Sequence, residues 1–511
     1  MRKLFLLSVL TLLLLSVSFA QQKPITIALS EKFSGLDTIS TASPDAAADR
    51  VRTLIFNSLV KKNEKFEYVG ELARDIKIGD DNTTVTFTLV DNVKFHNGKA
   101  LTSADAKYTL DALFAANGYK GASFFDTVSG QKEAHITAIE TPDPKTLVIK
   151  VRRPALVNQL LSNLVAIPII PENSVEQQKT APIGTGAFKF ASFDAANSVV
   201  ALEANADYWE GAPKIQKLNV KTVADPVNLK SGLLNETIDV VINPSGFSPQ
   251  EISEVPQNKH LQVFQSDGAN IRYIGFNVET KIVKNSKFRQ AVCFAIDREG
   301  IVKNLLYGQA RVAHSILPPE SWAYSARVKY DYKPLKAKEL LKQVDYKGQI
   351  IVLKIAAGNQ TISQYAQVIQ NYLKEVGINS EIEVLEINTL LEQLKEGDYQ
   401  ITTSQWINGN QDPIFLRDLF QSKEMPDRTQ GGRNRSRYSN KEFDKVIENA
   451  RNANEKLTAK GFYGIAQDIA ANDLPLIPLW YPANIVIANK RIKNIYISQG
   501  GDWDFIKKLS L

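Results

Sequence analysis

A single cysteine, Cys293, serves a chain of 511 residues. One thiol closes no intramolecular disulfide, so a fold outside the reducing cytosol must rely on its size and its core. The four histidines, His96, His135, His260 and His314, are scattered singly and offer no paired metal-ligand spacing. Neither a Gly-x-Ser-x-Gly elbow, a His-Glu-x-x-His helix nor a phosphate-binding loop is present. Catalytic, metal and cofactor roles therefore have no motif behind them. Charge of one sign is also lacking. The formal net charge is +6, milder still without Arg2 and Lys3, and too small to argue for a nucleic-acid partner. Beyond residue 20 no apolar run approaches the length that spans a bilayer.

The first twenty residues differ in kind. Arg2 and Lys3 precede an apolar run from Leu4 to Val17, and Ser18-Phe19-Ala20 places small residues where a signal peptidase requires them. Residues 1–20 are expected to be a secretory signal peptide. No cysteine follows the cleavage position, so a lipid anchor has no attachment point, and free periplasmic residence is expected. The rest is 44% hydrophobic and 23% charged over the whole chain, an ordinary globular balance. Its length calls for two or three domains.

The stretch from Asn270 to Tyr307 organises the remainder. Ile271, Tyr273 and Phe276 form an alternating strand, and after a polar turn Phe288, Val292, Ala295 and Ile296 follow at helical spacing, with Asn285 or Ser286 as N-cap. A strand leading into a new helical region near mid-chain suggests a crossing between two lobes. Before it, Lys23–Leu29 is a first strand, Arg50–Val60 is helical, and Val85, Phe87 and Leu89 alternate with threonines. Thr102 with Asp105 predicts a capping box. Residues 183–190 and 217–223 have strand character, and Val240–Pro244 looks like a strand end. After it, strands at 350–356, 381–387 and 399–406 alternate with helices at 362–376 and 390–394, the pattern of right-handed parallel crossovers in an α/β lobe. Ser439 and Glu442 suggest a second capping box. The stiff apolar strand 474–481 is placed to carry the chain back.

Several of these segments carry a family signature, in order along the chain. They are Asn92-Val93-Lys94-Phe95-His96-Asn97-Gly98 with Thr102 and Asp105, Gly184-Thr185-Gly186, Asp207-Tyr208-Trp209 through Lys214, Arg289-Gln290-Ala291-Val292 through Asp297-Arg298, Tyr438-Ser439-Asn440 with Phe443-Asp444, and Pro475 through Trp480. On these the chain resembles the family 5 extracellular solute-binding proteins of ABC importers, the oligopeptide, dipeptide and nickel-binding group. The resemblance implies an α/β, two-lobe Venus-flytrap fold with an extra subdomain inserted in the first lobe. It implies a first lobe from residues 21–65, 181–275 and 481–511, an inserted subdomain at 66–180, and a second lobe at 276–480. It also implies a monomeric receptor that captures a peptide or an oligosaccharide-like oligomer and hands it to permease subunits. A ligand sensor or chaperone on the same fold is the neighbouring alternative.

Ligand contact is expected first from the loop Trp406-Ile407-Asn408-Gly409-Asn410-Gln411-Asp412-Pro413, because ligands of open α/β sheets bind beyond the carboxyl ends of parallel strands. Trp406 would stack on a ligand while Asn408, Gly409 and Asn410 supply hydrogen bonds. The family resemblance places an amine-binding aspartate three residues after this tryptophan. Here that position is Gly409, and Asp412 matches instead the acidic residue before the proline. Phe33, Asn243 and Trp480 fall where the resemblance brings the first lobe and the hinge to the cleft. Arg433, Arg435 and Arg437 form a basic loop suited to anions, with Arg437, next to the matched Tyr438, as the candidate contact. Ser58 and Lys61 fit a Ser-x-x-Lys pattern, the one foothold for a secreted serine hydrolase, although its partner motifs are absent.

Overall fold

A computed structural model describes residues 23–511 apart from 32, 34, 43, 44, 129, 130, 245, 408–410, 430 and 454, with backbone alone at 46, 127 and 128. The expected signal peptide at residues 1–20 lies outside the described residues. Among the described residues the strands gather into a seven-stranded, a six-stranded and a four-stranded sheet plus two short ribbons.

The seven-stranded sheet runs in the order Phe188–Asp194, Val199–Ala204, Lys217–Thr222, Ile25–Leu29, Val240–Ile242, Asn484–Asn489, Leu261–Ser266. Ile25–Leu29 is parallel to both of its neighbours. The six-stranded sheet runs Ala310–Val312, Leu476–Pro482, Ile271–Phe276, Ile401–Trp406, Ile351–Ala356, Ser380–Leu385. Its last three strands are parallel, joined through the helices Gln360–Glu375 and Ile387–Glu396 as the spacing predicts. The four-stranded sheet is Ala73–Ile78, Thr84–Leu89, Thr146–Val151, Ile136–Asp143, and it has a core of its own around Phe87, Leu110 and Leu160. The seven- and six-stranded sheets give the two lobes, and the four-stranded sheet gives the additional subdomain.

Strand Ile271–Phe276 pairs with Ile401–Trp406 on one side and Leu476–Pro482 on the other. The chain therefore leaves the first sheet at residues 267–270, ahead of the expected division at 276. It returns between Pro482 and Asn484. The helix that follows the central strand, Ser286–Ala295, is capped by Asn285, whose side chain accepts from the Lys287 N–H at 3.0 Å. The capping box at Thr102 and Asp105 forms, with Asp105 accepting from the Thr102 N–H at 3.0 Å. The second box does not: Asn440, not Ser439, is the residue that immediately precedes Lys441–Asn452, and its side-chain oxygen accepts from both the Glu442 and Phe443 N–H groups. Strand character begins at Phe188 rather than Ile183. The reason is close packing, since a Cβ at Gly184 would lie 2.2 Å from the Ile55 carbonyl oxygen and one at Gly186 2.4 Å from its carbon.

The same glycine segment holds His96. Its Nε2 lies 3.0 Å from the Gly186 carbonyl oxygen, and its Nδ1 accepts from the Gly184 N–H at 3.4 Å. That arrangement fits the neutral ring protonated at Nε2 and leaves no acceptor for a second proton. Burial accordingly holds its pKa at about 4. On acidification the unfolded chain takes up this proton first, so stability is full above about 6.5 and is lost as pH falls toward 4. The loss expected from His96, discounted for its partial exposure, is on the order of 2 kcal/mol. Chemical denaturation of the wild type and of His96→Gln at pH 7 and pH 4.5 checks this: the variant should show the shallower decline.

Candidate functional site

Trp406 is the last residue of Ile401–Trp406, at the carboxyl end of the parallel strands. Its ring stacks on Tyr273 at 6.5 Å and meets the edge of Phe415 at 5.3 Å. The Arg435 guanidinium lies 5.6 Å from its centroid. Despite this packing the indole is only partly buried, and its Nε1 is a buried donor with no hydrogen-bond partner. Asn408, Gly409 and Asn410, next along the chain, lie outside the described residues.

The far end of the same loop meets the first lobe. Gln411 is buried and accepts from Lys62 Nζ at 3.3 Å. The Tyr68 hydroxyl donates to Asp412, whose other oxygen accepts from the Ile414 N–H at 2.9 Å. Lys456, in the second lobe, pairs with Glu67 at 2.9 Å. The ribbon formed by Val60–Lys62 and Tyr68–Gly70 thus grips the second lobe beside the loop. Burial pushes the Tyr68 hydroxyl pKa up, and the Asp412 charge adds to this. Burial pulls Lys62 below the ordinary lysine value while Asp412 opposes the shift. Gly500 faces Gln411 from the other side, in a turn whose Gln499 carbonyl accepts from the Ala269 N–H at 3.1 Å.

Of the remaining expected contacts, Phe33 packs edge-on to Phe193 at 5.4 Å against the first-lobe core. Asn243 accepts from the Ile485 N–H at 2.9 Å and donates to Asn484, which in turn holds the Ser498 and Gln499 carbonyls. It sits behind the seam and steadies the turn that faces it. Trp480 is 2% exposed and edge-on to Tyr365 at 5.2 Å, so its ring belongs to the second-lobe core and not to a cleft wall. Arg437 is likewise spent. It donates to the Lys395 and Glu396 carbonyls and pairs with Glu279 and Asp427, closing the end of helix Ile387–Glu396. Arg433 pairs with Asp418 at 3.3 Å. Arg435 is the member of the basic loop that reaches Trp406.

Ser58 and Lys61 do not form a reactive pair. The Ser58 hydroxyl donates to the Val165 carbonyl at 3.1 Å, and Lys61 lies 3.6 Å from Glu210. The Cys293 thiol is buried, which pushes its pKa up to about 11. Among the described residues no three of His, Cys, Asp and Glu gather as metal ligands, and no helix is long and apolar enough to cross a membrane.

Two lobes joined by two crossings, with Gln411 and Asp412 of one meeting Lys62 and Tyr68 of the other, form the fold of a two-lobe binding protein. The family described as bacterial extracellular solute-binding proteins, family 5 Middle, matches residues 67–426, and the chain belongs to it. A putative ABC transporter peptide-binding protein of Brucella ovis is 32% identical over 340 residues, covering 63% of this chain and 62% of that relative, slightly under two-thirds of its length. The glutathione-binding protein GsiB of Shigella dysenteriae is 27% identical over 513 residues, covering 98% of this chain and 96% of its own. Among solved structures, the ABC transporter substrate-binding protein CtaP of Listeria monocytogenes superposes with a TM-score of 0.84 at 21% identity, over 96% of this chain and 99% of that one. NikZ of Campylobacter jejuni, solved with Ni(L-His), gives 0.77 at 22% identity over 96% and 99%.

Proposed function

We propose that this protein is the extracytoplasmic receptor of an ABC importer, closing its lobes on a peptide or similar polar oligomer and presenting it to membrane permease subunits. The observation that carries the reading is the loop from Trp406 to Asp412, whose one end offers an aromatic wall and whose other end engages Lys62 and Tyr68 across the seam. Relatives named for peptide and glutathione binding support the class of ligand. The reading includes export by residues 1–20, a mature chain beginning at Gln21 without a lipid anchor, action as a monomer, and no catalysis. The lobes divide at the crossings 267–270 and 482–484, and these act as the hinge.

The test is a thermal-shift screen of di- to penta-peptides and oligosaccharides on the mature protein, with mass spectrometry of whatever co-purifies. A ligand-dependent rise in melting temperature is expected, and no shift with any compound would defeat the proposal. Against the best compound, Trp406→Ala should weaken binding on the order of tenfold to a hundredfold, the usual worth of a stacked aromatic. Calorimetric titration reads this, and Phe33→Ala is the comparison for an aromatic away from the loop. Recovery of the chain in the periplasmic fraction, with Gln21 at its amino terminus, checks the export step.

A further inference from the structure

Most arginines of the second lobe are met by carbonyls or carboxylates. Arg289 and Arg298 are buried and donate to backbone carbonyls. Arg311 pairs with Glu320, Arg417 with Asp418 and Arg451 with Glu448. Arg435 is half-buried, and among the described residues its guanidinium has neither a hydrogen bond nor an ion pair, only the face of Trp406. Its N–H groups are not among the buried unpartnered donors, so they reach solvent and are free to meet an acceptor. A second unpartnered donor, Trp406 Nε1, lies on the ring that Arg435 covers. Arg272, on the neighbouring strand Ile271–Phe276 and on the opposite face of the sheet, donates to Gln405 at 2.5 Å and lies over the Tyr365 ring.

Two carboxylates at this end of the sheet, among the described residues, are already used. Asp412 accepts from Tyr68 and from the Ile414 N–H. Glu386 caps its helix by accepting from the Asn388 and Thr389 N–H groups at 2.7 and 3.2 Å. Among the described residues, Arg435 and the Trp406 indole N–H present donors and a positive charge at the start of the loop. Such a surface repels an ammonium group and fits an acceptor with negative charge.

We infer that the group of the ligand seated against Trp406 and Arg435 is an anion, a carboxylate, and not a free amino terminus. The inference rests on the receptor reading above and names the chemistry its site selects. The planar guanidinium offers two parallel N–H bonds to the two carboxylate oxygens while its face stays on the indole. A peptide supplies such a group from its carboxyl terminus or an acidic side chain, and a non-peptide acid supplies the same group.

Calorimetric titration of the mature protein with three probes tests this: N-acetyl-tetraalanine, which has a carboxylate and no amine, tetraalaninamide, which has the reverse, and glutarate. The acetylated peptide should bind more tightly than the amide by on the order of tenfold or more, and Arg435→Gln should erase that preference. Arg435→Lys should keep part of it, because the charge survives without the fork. Unchanged melting of the ligand-free variants shows that they fold. Equal or tighter binding of tetraalaninamide, or a preference that survives in Arg435→Gln, overturns the inference and leaves the receptor reading intact. Binding of glutarate alone, lost in Arg435→Gln, upholds the inference and removes the peptide from the receptor reading. Silence from all three probes overturns the inference, and the co-purifying ligand then decides the receptor reading separately.

Discussion

Gly268→Ala is expected to lower the melting temperature by several degrees and to weaken ligand binding together with it. A Cβ at this position would lie 1.8 Å from the Pro482 carbonyl oxygen and 3.0 Å from the carbonyl carbon. Those are main-chain atoms of the other crossing, so no side chain can swing aside. Forcing one methyl group into a well-packed site costs roughly 1–3 kcal/mol, and a backbone obstacle belongs at or above the upper end. Each crossing is also anchored to a neighbouring segment. Ala269 N–H donates to the Gln499 carbonyl at 3.1 Å, and Ala483 N–H to the Gln309 carbonyl at 3.0 Å. Separating Gly268 from Pro482 would change the angle at which the second lobe leaves the first. Gly461→Ala is the matched control. It lies in helix Lys456–Asp473 with nothing within 4 Å of a new Cβ, and alanine there should stabilise by about 0.5–1 kcal/mol. Melting temperatures of the two variants should therefore move in opposite directions, while only Gly268→Ala weakens binding. Binding by Gly268→Ala at wild-type affinity would show that the crossings tolerate separation.

The sequence discloses local chemistry well and long-range pairing poorly, and the two lobes illustrate both. The Asn285 cap, the Thr102 and Asp105 box and the parallel strand–helix alternation after residue 350 all depend on residues close in sequence, and all were legible. So was the end of strand Ile401–Trp406 as the place for a loop facing the seam. The basic loop was legible as a group, but its members were not separable. Arg437 takes a φ of +55° and turns into the end of a helix whose last carbonyls need donors, while Arg435, two residues earlier, extends over Trp406. Only the fold assigns those fates. Trp480 was misplaced for a related reason. It lies near the return crossing in sequence, but its strand is interior to the sheet and its ring is directed at Tyr365. Lys62 and Tyr68 gave no signal at all. Their partners stand 349 and 344 residues away, and nothing in a short ribbon of mixed residues announces a contact with the other lobe.

Asp412→Ala should weaken ligand binding by on the order of thirtyfold to a thousandfold while leaving the melting of the ligand-free protein nearly unchanged. In the proposed receptor the lobes close by hinge motion, and a contact across the seam then contributes to the closed form alone. Asp412 serves three groups there. It accepts from the Tyr68 hydroxyl and the Ile414 N–H, and it supplies the negative charge nearest to Lys62. Truncation leaves a buried hydroxyl without an acceptor, at about 1–3 kcal/mol, and a poorly solvated ammonium with only Gln411 beside it. In the open form water serves both groups, so the penalty falls on closure and appears as lost affinity. Asp412→Asn keeps an acceptor for Tyr68 and for Ile414 but removes the charge, and it should fall between the wild type and alanine. Tyr68→Phe removes only the hydroxyl and should cost about 1 kcal/mol. A double-mutant cycle between Tyr68→Phe and Asp412→Ala should give a coupling on the order of 1 kcal/mol, because each change empties the other's partner. Wild-type affinity in Asp412→Ala would mean that the ribbon merely touches the second lobe, and that closure is held by the ligand alone.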